Sequence, residues 1–165
     1  MDKITPNLWF DGNAEDAANF YVGLFPDSRI DAAHHAPSDN PSTAKGAVLL
    51  VQFTLAGRHY TAINGGPQFP FTEAVSFQID CQDQAEVDRY WQALIADGGS
   101  PGQCGWCKDR FGLSWQVVPR RLSELLSSDN RAAAERTMQS MLKMTKLDVA
   151  APEAAHKEDR GEQYV

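Results

Sequence analysis

Alternating apolar and polar positions divide the first half of the chain into short strands set around one helix. Ile4 to Phe10 alternates, with Ile4, Leu8 and Phe10 facing one way and Thr5, Asn7 and Trp9 the other. Asp11-Gly12-Asn13 breaks the run and predicts a helix start, with Asn13 as N-cap and Asp16 in a weaker version of the capping box. Ala14, Ala17, Ala18, Tyr21, Leu24 and Phe25 then fall on one helical face, and Pro26-Asp27 ends the helix. Ser28 to His35 reads as a strand, and Pro37 to Gly46, rich in Pro, Ser, Asp and Asn, as a loop. Leu49, Val51, Phe53 and Leu55 alternate with Leu50, Gln52 and Thr54. A turn at Ala56-Gly57 joins this strand to a hairpin partner over Arg58 to Asn64.

The same order then begins again. Ala74 to Asp80 alternates, Asp83 to Glu86 forms a capping box, and Val87, Trp91, Leu94 and Ile95 share one helical face. Strands follow over Ser100 to Cys104, Gly105 to Lys108 and Leu113 to Val118, the last two joined by a turn at Phe111-Gly112. Aligning Ala14-Glu15 with Ala85-Glu86 brings Phe20 onto Trp91 and Leu24 onto Ile95, so the pattern predicts a duplicated strand–helix–three-strand unit. One such sheet with one helix leaves an apolar face underfilled, and pairing two completes the burial. The expected fold is α+β: paired βαβββ modules forming a curved mixed sheet around a cleft. The expected limits are 4–66 and 73–119 for the modules and 120–151 for a C-terminal helical segment, making one domain over 1–151. In that segment Leu122, Leu125 and Leu126 mark a short helix. Asp129 or Asn130 caps a longer one towards Lys146, with Met138, Met141, Leu142 and Thr145 as its stripe. From Pro152 to residue 165 the tail is polar and is expected to be loosely held.

Composition narrows the function classes. A formal charge of −7 over 165 residues does not favour nucleic acid or an anionic membrane as partner. No apolar run approaches the about 18 residues of a membrane span, and charged residues interrupt the first ten positions as they would not in a signal peptide. Cys81, Cys104 and Cys107 are an odd set with no disulfide framework, which suits a reducing compartment and predicts a cytoplasmic protein.

Chemistry concentrates in Gln103 to Pro119, which holds two of the three cysteines and two of the four tryptophans and is expected to form one wall of a cleft. Neutral polar residues punctuate the strands: Asn7, Gln52, Asn64, Ser76, Gln78, Ser114 and Gln116. Beside Trp9, Trp106 and Trp115 they fit a semi-enclosed cleft for a small, aromatic or anionic organic molecule. An exposed sheet face, or a core whose polar groups satisfy one another, would leave the same pattern. Cys104-Gly-Trp-Cys107 matches C-x-x-C, but the strand context does not put a thiol at a helix N-terminus, so Cys104 reads as a small inward-facing wall residue. Arg110 is placed to neutralise an anionic ligand group with Asp109 beside it, or simply to form an ion pair with it. Of the histidines His34, His35, His59 and His156, the adjacent His34-His35 would point to opposite sides of a strand and have no obvious carboxylate partner in sequence, so no metal site is predicted from the set. Gly65-Gly66 lacks phosphate-loop spacing and no G-x-G-x-x-G follows a strand, so no cofactor is expected.

Five segments, ITPNLWFDGNAEDAANFYVGLFPDSRI, INGGP, EAVSFQIDCQDQAEVDRYW, QCGWCKDRFGLSWQVVP and MLKMTKLDVA, carry a resemblance spanning Ile4 to Ala151. The chain resembles the PhnB-like branch of the glyoxalase/bleomycin-resistance/dioxygenase superfamily, whose members are often named 3-demethylubiquinone-9 3-methyltransferase. The resemblance implies paired βαβββ modules and a homodimer. It implies too that metal-ligand slots fall near Asn7, at Ser76 or Gln78, and at Gln116, where neither His nor carboxylate stands. The expected function is therefore metal-independent small-molecule binding, with no catalytic residue assigned. The alternatives are methyl transfer to a quinone-like aromatic, a diverged lyase or isomerase reaction, and a dimeric structural role.

Overall fold

Strand pairing confirms the duplication. The computed structural model describes residues 2–158 and separates into two compact units between Phe71 and Thr72. In the first, β1 (Asn7–Phe10), α1 (Ala14–Leu24), β2 (Arg29–His35), β3 (Val48–Leu55) and β4 (Arg58–Asn64) make a sheet ordered β1-β4-β3-β2. Only β1 and β4 run parallel, with Asn7 opposite Thr61. Alternation sends Leu8, Phe10, Val51, Phe53 and Ala62 to a buried side, where Ala14, Ala17, Ala18 and Tyr21 of α1 are buried too. The Tyr21 and Phe53 rings meet at 6.4 Å, and Tyr60 stacks on Phe53 at 5.5 Å.

Two local expectations for this module change. The first strand begins at Asn7 rather than Ile4, which is 86% exposed. Pro6 has no N–H to offer a ladder, so only its carbonyl joins, accepting from the Thr61 N–H at 3.0 Å. Asn13 stands at the N-cap of α1 but makes no side-chain cap bond. Asn64 supplies it instead: its Oδ1 accepts from the Ala14 N–H at 2.9 Å while its Nδ2 donates to the Val48 carbonyl at 2.9 Å. The loop after β2 is ordered by its own short polar side chains. Asn40 Oδ1 accepts from the backbone of Ser42 and Thr43, and Asp39 Oδ1 from that of Lys45.

The second unit repeats the design with β5 (Ser76–Cys81), α2 (Gln84–Ile95), β6 (Ser100–Pro101), β7 (Trp106–Lys108) and β8 (Ser114–Pro119), ordered β5-β8-β7-β6. Again the first and last strands pair in parallel, Ser76 opposite Ser114. Here the predicted cap forms: Asp83 Oδ1 accepts from the Glu86 N–H at 2.9 Å, and Glu86 Oε2 reaches back to the Gln82 N–H at 2.8 Å. Val87, Tyr90, Trp91 and Leu94 of α2 are buried, as are Ile79, Cys81, Cys107, Trp115 and Val117 on the strands. The strand expected over Ser100 to Cys104 stops at Pro101. Cys104 (φ +55°) and Gly105 (φ +82°) turn the chain, and their N–H groups donate to the carbonyls of Met144 and Thr145 at 2.8 Å, outside any ladder. At Gly105 a side chain would be doubly opposed, by the positive φ and by Leu147 Cδ1, 2.7 Å from where a Cβ would stand.

Three helices complete this unit: α3 (Arg120–Leu126), α4 (Arg131–Met141) and α5 (Ala150–Lys157). Asn130 caps α4 as expected, accepting from the Ala133 N–H at 3.1 Å. The helix ends at Met141, short of Lys146, and buries Ala133, Ala134 and Thr137 in place of the expected methionine stripe; Met138 and Leu142 stay 39% and 52% exposed. The tail expected to be loose from Pro152 begins instead with α5, where Pro152 is buried in the first turn and needs no N–H. Residues 159–165 lie outside the described residues. No helix among the described residues is long and apolar enough to cross a membrane.

All three cysteines are free. Burial pushes the Cys81 and Cys107 thiols up to about 12, so neither offers a thiolate near neutral pH. Half-buried Cys104 bonds weakly through Sγ to the Met141 carbonyl, at 3.8 Å. A disulfide reagent at pH 8 is expected to titrate one thiol, Cys104, in the folded chain and three in denaturant. Rapid labelling of Cys107 in native protein would show that this core opens readily.

Candidate functional site

Strand register decides which side chains share a surface. With Trp115 turned to the helix side of the second sheet, its neighbours Ser114 and Gln116 must face the other way. Pairing then sets Ser76 beside Ser114, Gln78 beside Gln116, Trp106 beside Gln116 and Lys108 beside Ser114. Six residues from three strands thus form one polar face with a single large aromatic. Gln116 Nε2 donates to Ser76 Oγ at 2.9 Å, which orients both groups. The Lys108 ammonium lies 2.7 Å from Glu73 and holds that carboxyl below the usual carboxylate range, chiefly through their hydrogen bond.

At one end this face hollows into a cavity of about 220 Å³, lined by Glu73, Ser100, Gly102, Trp106, Lys108 and Ser114 among others. Ser114 is only 1% exposed, and its hydroxyl finds no hydrogen-bond partner among the described residues. Buried polar groups are nearly always bonded, so an unsatisfied hydroxyl on a residue that lines a cavity sets Ser114 apart from the rest of this face. Two other hollows among the described residues differ. One of about 550 Å³ lies along α4 and α5, and its Arg136 already donates to the Ala155 and His156 carbonyls. One of about 320 Å³ in the first module has Ser42 and Thr43 hydroxyls bonded to the Asn64 carbonyl.

The first module carries a corresponding polar row. Asn7, Thr61 and Gln52 are neighbours across β1, β4 and β3, and Gln52 Oε1 lies 3.1 Å from His34 Nε2. Trp9, on the same side as Asn7, is held firmly: its Nε1 donates to the Gly66 carbonyl at 2.8 Å and its ring meets Phe69 edge-on at 5.0 Å. Gly65 makes room for that ring, since a Cβ there would lie 2.2 Å from it.

The residues singled out from the sequence thus separate by position. Ser76, Gln78, Trp106 and Gln116 share the second face, and Asn7, Trp9 and Gln52 the first. Trp115 is buried on the helix side, 5.4 Å from Phe77, with its Nε1 donating to Asp109 Oδ2 at 2.8 Å. Asn64 spends its amide on α1 and β3, and Cys104 lies in the turn before β7. Arg110, at the hairpin tip, reaches Asp97 at 3.6 Å and lies over the Phe111 ring at 5.1 Å. Asp109 points inward, where Oδ1 also accepts from the Phe111 and Leu113 N–H groups at 2.8 and 3.1 Å. Lys108 of the second face and Glu73 of the cavity wall were not among the sequence-predicted site residues. Lys108 was within reach, because it shares parity with Trp106 on a three-residue strand; Glu73 precedes its strand and carries no periodic signal. Among the described residues no group of three or more His, Cys, Asp or Glu is placed to hold a metal ion.

Two βαβββ modules, each closed by a parallel pair, are the architecture of the glyoxalase/bleomycin-resistance/dioxygenase superfamily, and here helices follow the second module. Within it the chain belongs to the PhnB-like branch, matching the family described as 3-demethylubiquinone-9 3-methyltransferase over residues 2–118. It is 32% identical to a PhnB protein from Bacillus cereus that carries the same family name, covering 72% of this chain and 99% of that one, with a TM-score of 0.64. A Pseudomonas aeruginosa protein, PA1353, is 22% identical over 72% of this chain and 98% of its own, with a TM-score of 0.58, and shares the fold. No curated protein matches the chain.

Proposed function

We propose that this protein binds a small organic molecule on the polar sheet faces of its modules and does so without a metal. The observation that carries this reading is the Gln116–Ser76 pair on a face shared with Trp106. It supplies oriented neutral donors and acceptors beside an aromatic wall, the usual furnishing of a small-molecule site. A metal fits these residues poorly. Asn7, Ser76, Gln78 and Gln116 bring no charge to balance a divalent cation, and the Gln116 amide presents its N–H side to Ser76. By thermal shift, a metabolite that stabilises the protein is expected to do so equally with and without a chelator. Trp106→Ala or Gln116→Leu is expected to weaken that ligand by about tenfold or more. A broad screen with no stabilising compound, or a shift that survives both substitutions, would sink the proposal.

The family description names a methyl transfer, and this reading is tested separately. Methyl transfer needs a base and a sulfonium donor aligned with the acceptor. The carboxylate lining the second face's cavity, Glu73, is engaged by Lys108. Saturable binding of S-adenosylmethionine in calorimetry would favour transfer over binding alone. We further propose that the modules act together as one domain over 1–151, that the chain is a homodimer, and that it works in the cytoplasm. The free, uncrosslinked thiols support the last of these.

A further inference from the structure

We infer that the cavity at Ser114 is a subsite for the carboxylate of a small aromatic monoacid, held by the Ser114 hydroxyl and the Lys108 ammonium with Trp106 as its wall. This rests on the small-molecule reading above and names the ligand end that enters first. Ser114 and Lys108 are directly paired across β8 and β7, so both side chains leave the sheet on the same side as near neighbours. The hydroxyl is covered and unbonded among the described residues, and rotation about the Cα–Cβ bond of this cavity-lining residue would let it give its proton to an acceptor entering the cavity.

Charge selects the kind of acceptor. Lys108 brings one positive charge, and Glu73 engages it at 2.7 Å through an ion pair whose side chains are 39% and 64% exposed. Such an open pair is easily exchanged. A monoanion can take Glu73's place on the ammonium and leave the site with one lysine for one ligand charge. A phosphate dianion would be undercompensated beside the displaced Glu73. Trp106, half-buried in the lining, offers a flat apolar surface, and about 220 Å³ accommodates one ring with a carboxylate but not a polycyclic body.

Benzoate is the test probe, with benzamide as its neutral isostere and inorganic phosphate as the alternative anion, followed by calorimetry and by amide shifts around Ser114. Benzoate is expected to bind the full chain at least tenfold more tightly than benzamide or phosphate. Ser114→Ala and Lys108→Met are each expected to weaken it by tenfold or more. Glu73→Gln, by freeing the lysine, is expected to tighten it several-fold, an effect that loss of folding cannot mimic. Equal binding of benzoate and benzamide, or equal binding of phosphate, overturns the carboxylate assignment while leaving the small-molecule reading intact. Absence of benzoate binding at millimolar concentration, or binding indifferent to Ser114→Ala, overturns the subsite itself. The metabolite screen with Gln116→Leu then decides the broader reading alone.

Discussion

Replacing Asp109 with alanine is expected to destabilise the fold by about 3–5 kcal/mol, more than any surface substitution in the hairpin. Its carboxylate, buried at the end of β7, accepts from the Phe111 N–H, the Leu113 N–H and the Trp115 indole. Truncation leaves three donors facing a hole; Leu113 and Trp115 are themselves buried, so water cannot readily replace what is lost. Asp109→Asn keeps one acceptor oxygen in the same place and is expected to lose less, about 1–2 kcal/mol. Urea unfolding followed by tryptophan fluorescence would rank the two. Equal losses would mean that the shape and the one retained oxygen contribute nothing without the carboxylate's charge and second acceptor, and a loss below about 1 kcal/mol for alanine would show that the turn repairs itself.

The second large effect sits at the other module's helix start. Asn64→Ala is expected to destabilise by about 2–4 kcal/mol, because it orphans both the Ala14 N–H and the Val48 carbonyl. Ala14 is fully buried, so its N–H has no water to turn to. Asn13→Ala, at the nominal cap position, is expected to change stability by less than about 0.5 kcal/mol, since its side chain makes no cap bond. Thermal unfolding of the two variants separates a cap delivered from a neighbouring strand from one delivered locally. If Asn13→Ala proved the costlier, the bond from Asn64 would not be what holds the start of α1.

These two residues also show where sequence reasoning stopped. Alternation and helical periodicity are local signals, and they identified both βαβββ modules, the hairpin turn at Ala56-Gly57 and the Asp83–Glu86 cap. Asn64 serves α1 across a parallel pairing, and nothing in the residues flanking it announces a partner at Ala14. Trp115 and Gln116 illustrate a different limit. Grouping them by chemistry placed both in one cleft, yet adjacent strand residues point to opposite faces, and the buried indole belongs to the core. Parity carried through β7 and β8 brings Lys108 to Ser114. That the Ser114 hydroxyl goes unanswered depends on what its neighbours fail to supply, which no pattern of residue types contains. In the C-terminal segment alanines with a threonine, rather than methionines, line the buried side of α4, because small side chains let the helix sit close.

Both sheets close on themselves late. The first strand of each module pairs within its sheet only with the last, Asn7 with Thr61 and Ser76 with Ser114, while the antiparallel strands between them can zip through shorter connections. Non-local parallel pairing is the slow step in such topologies, since the chain gives up loop entropy before any contact compensates it. During synthesis β4 emerges well before β8, so the first sheet has its closing strand before the second does. Until β8 arrives, both edges of β5 stay open, and the cavity that Ser114 lines does not yet exist.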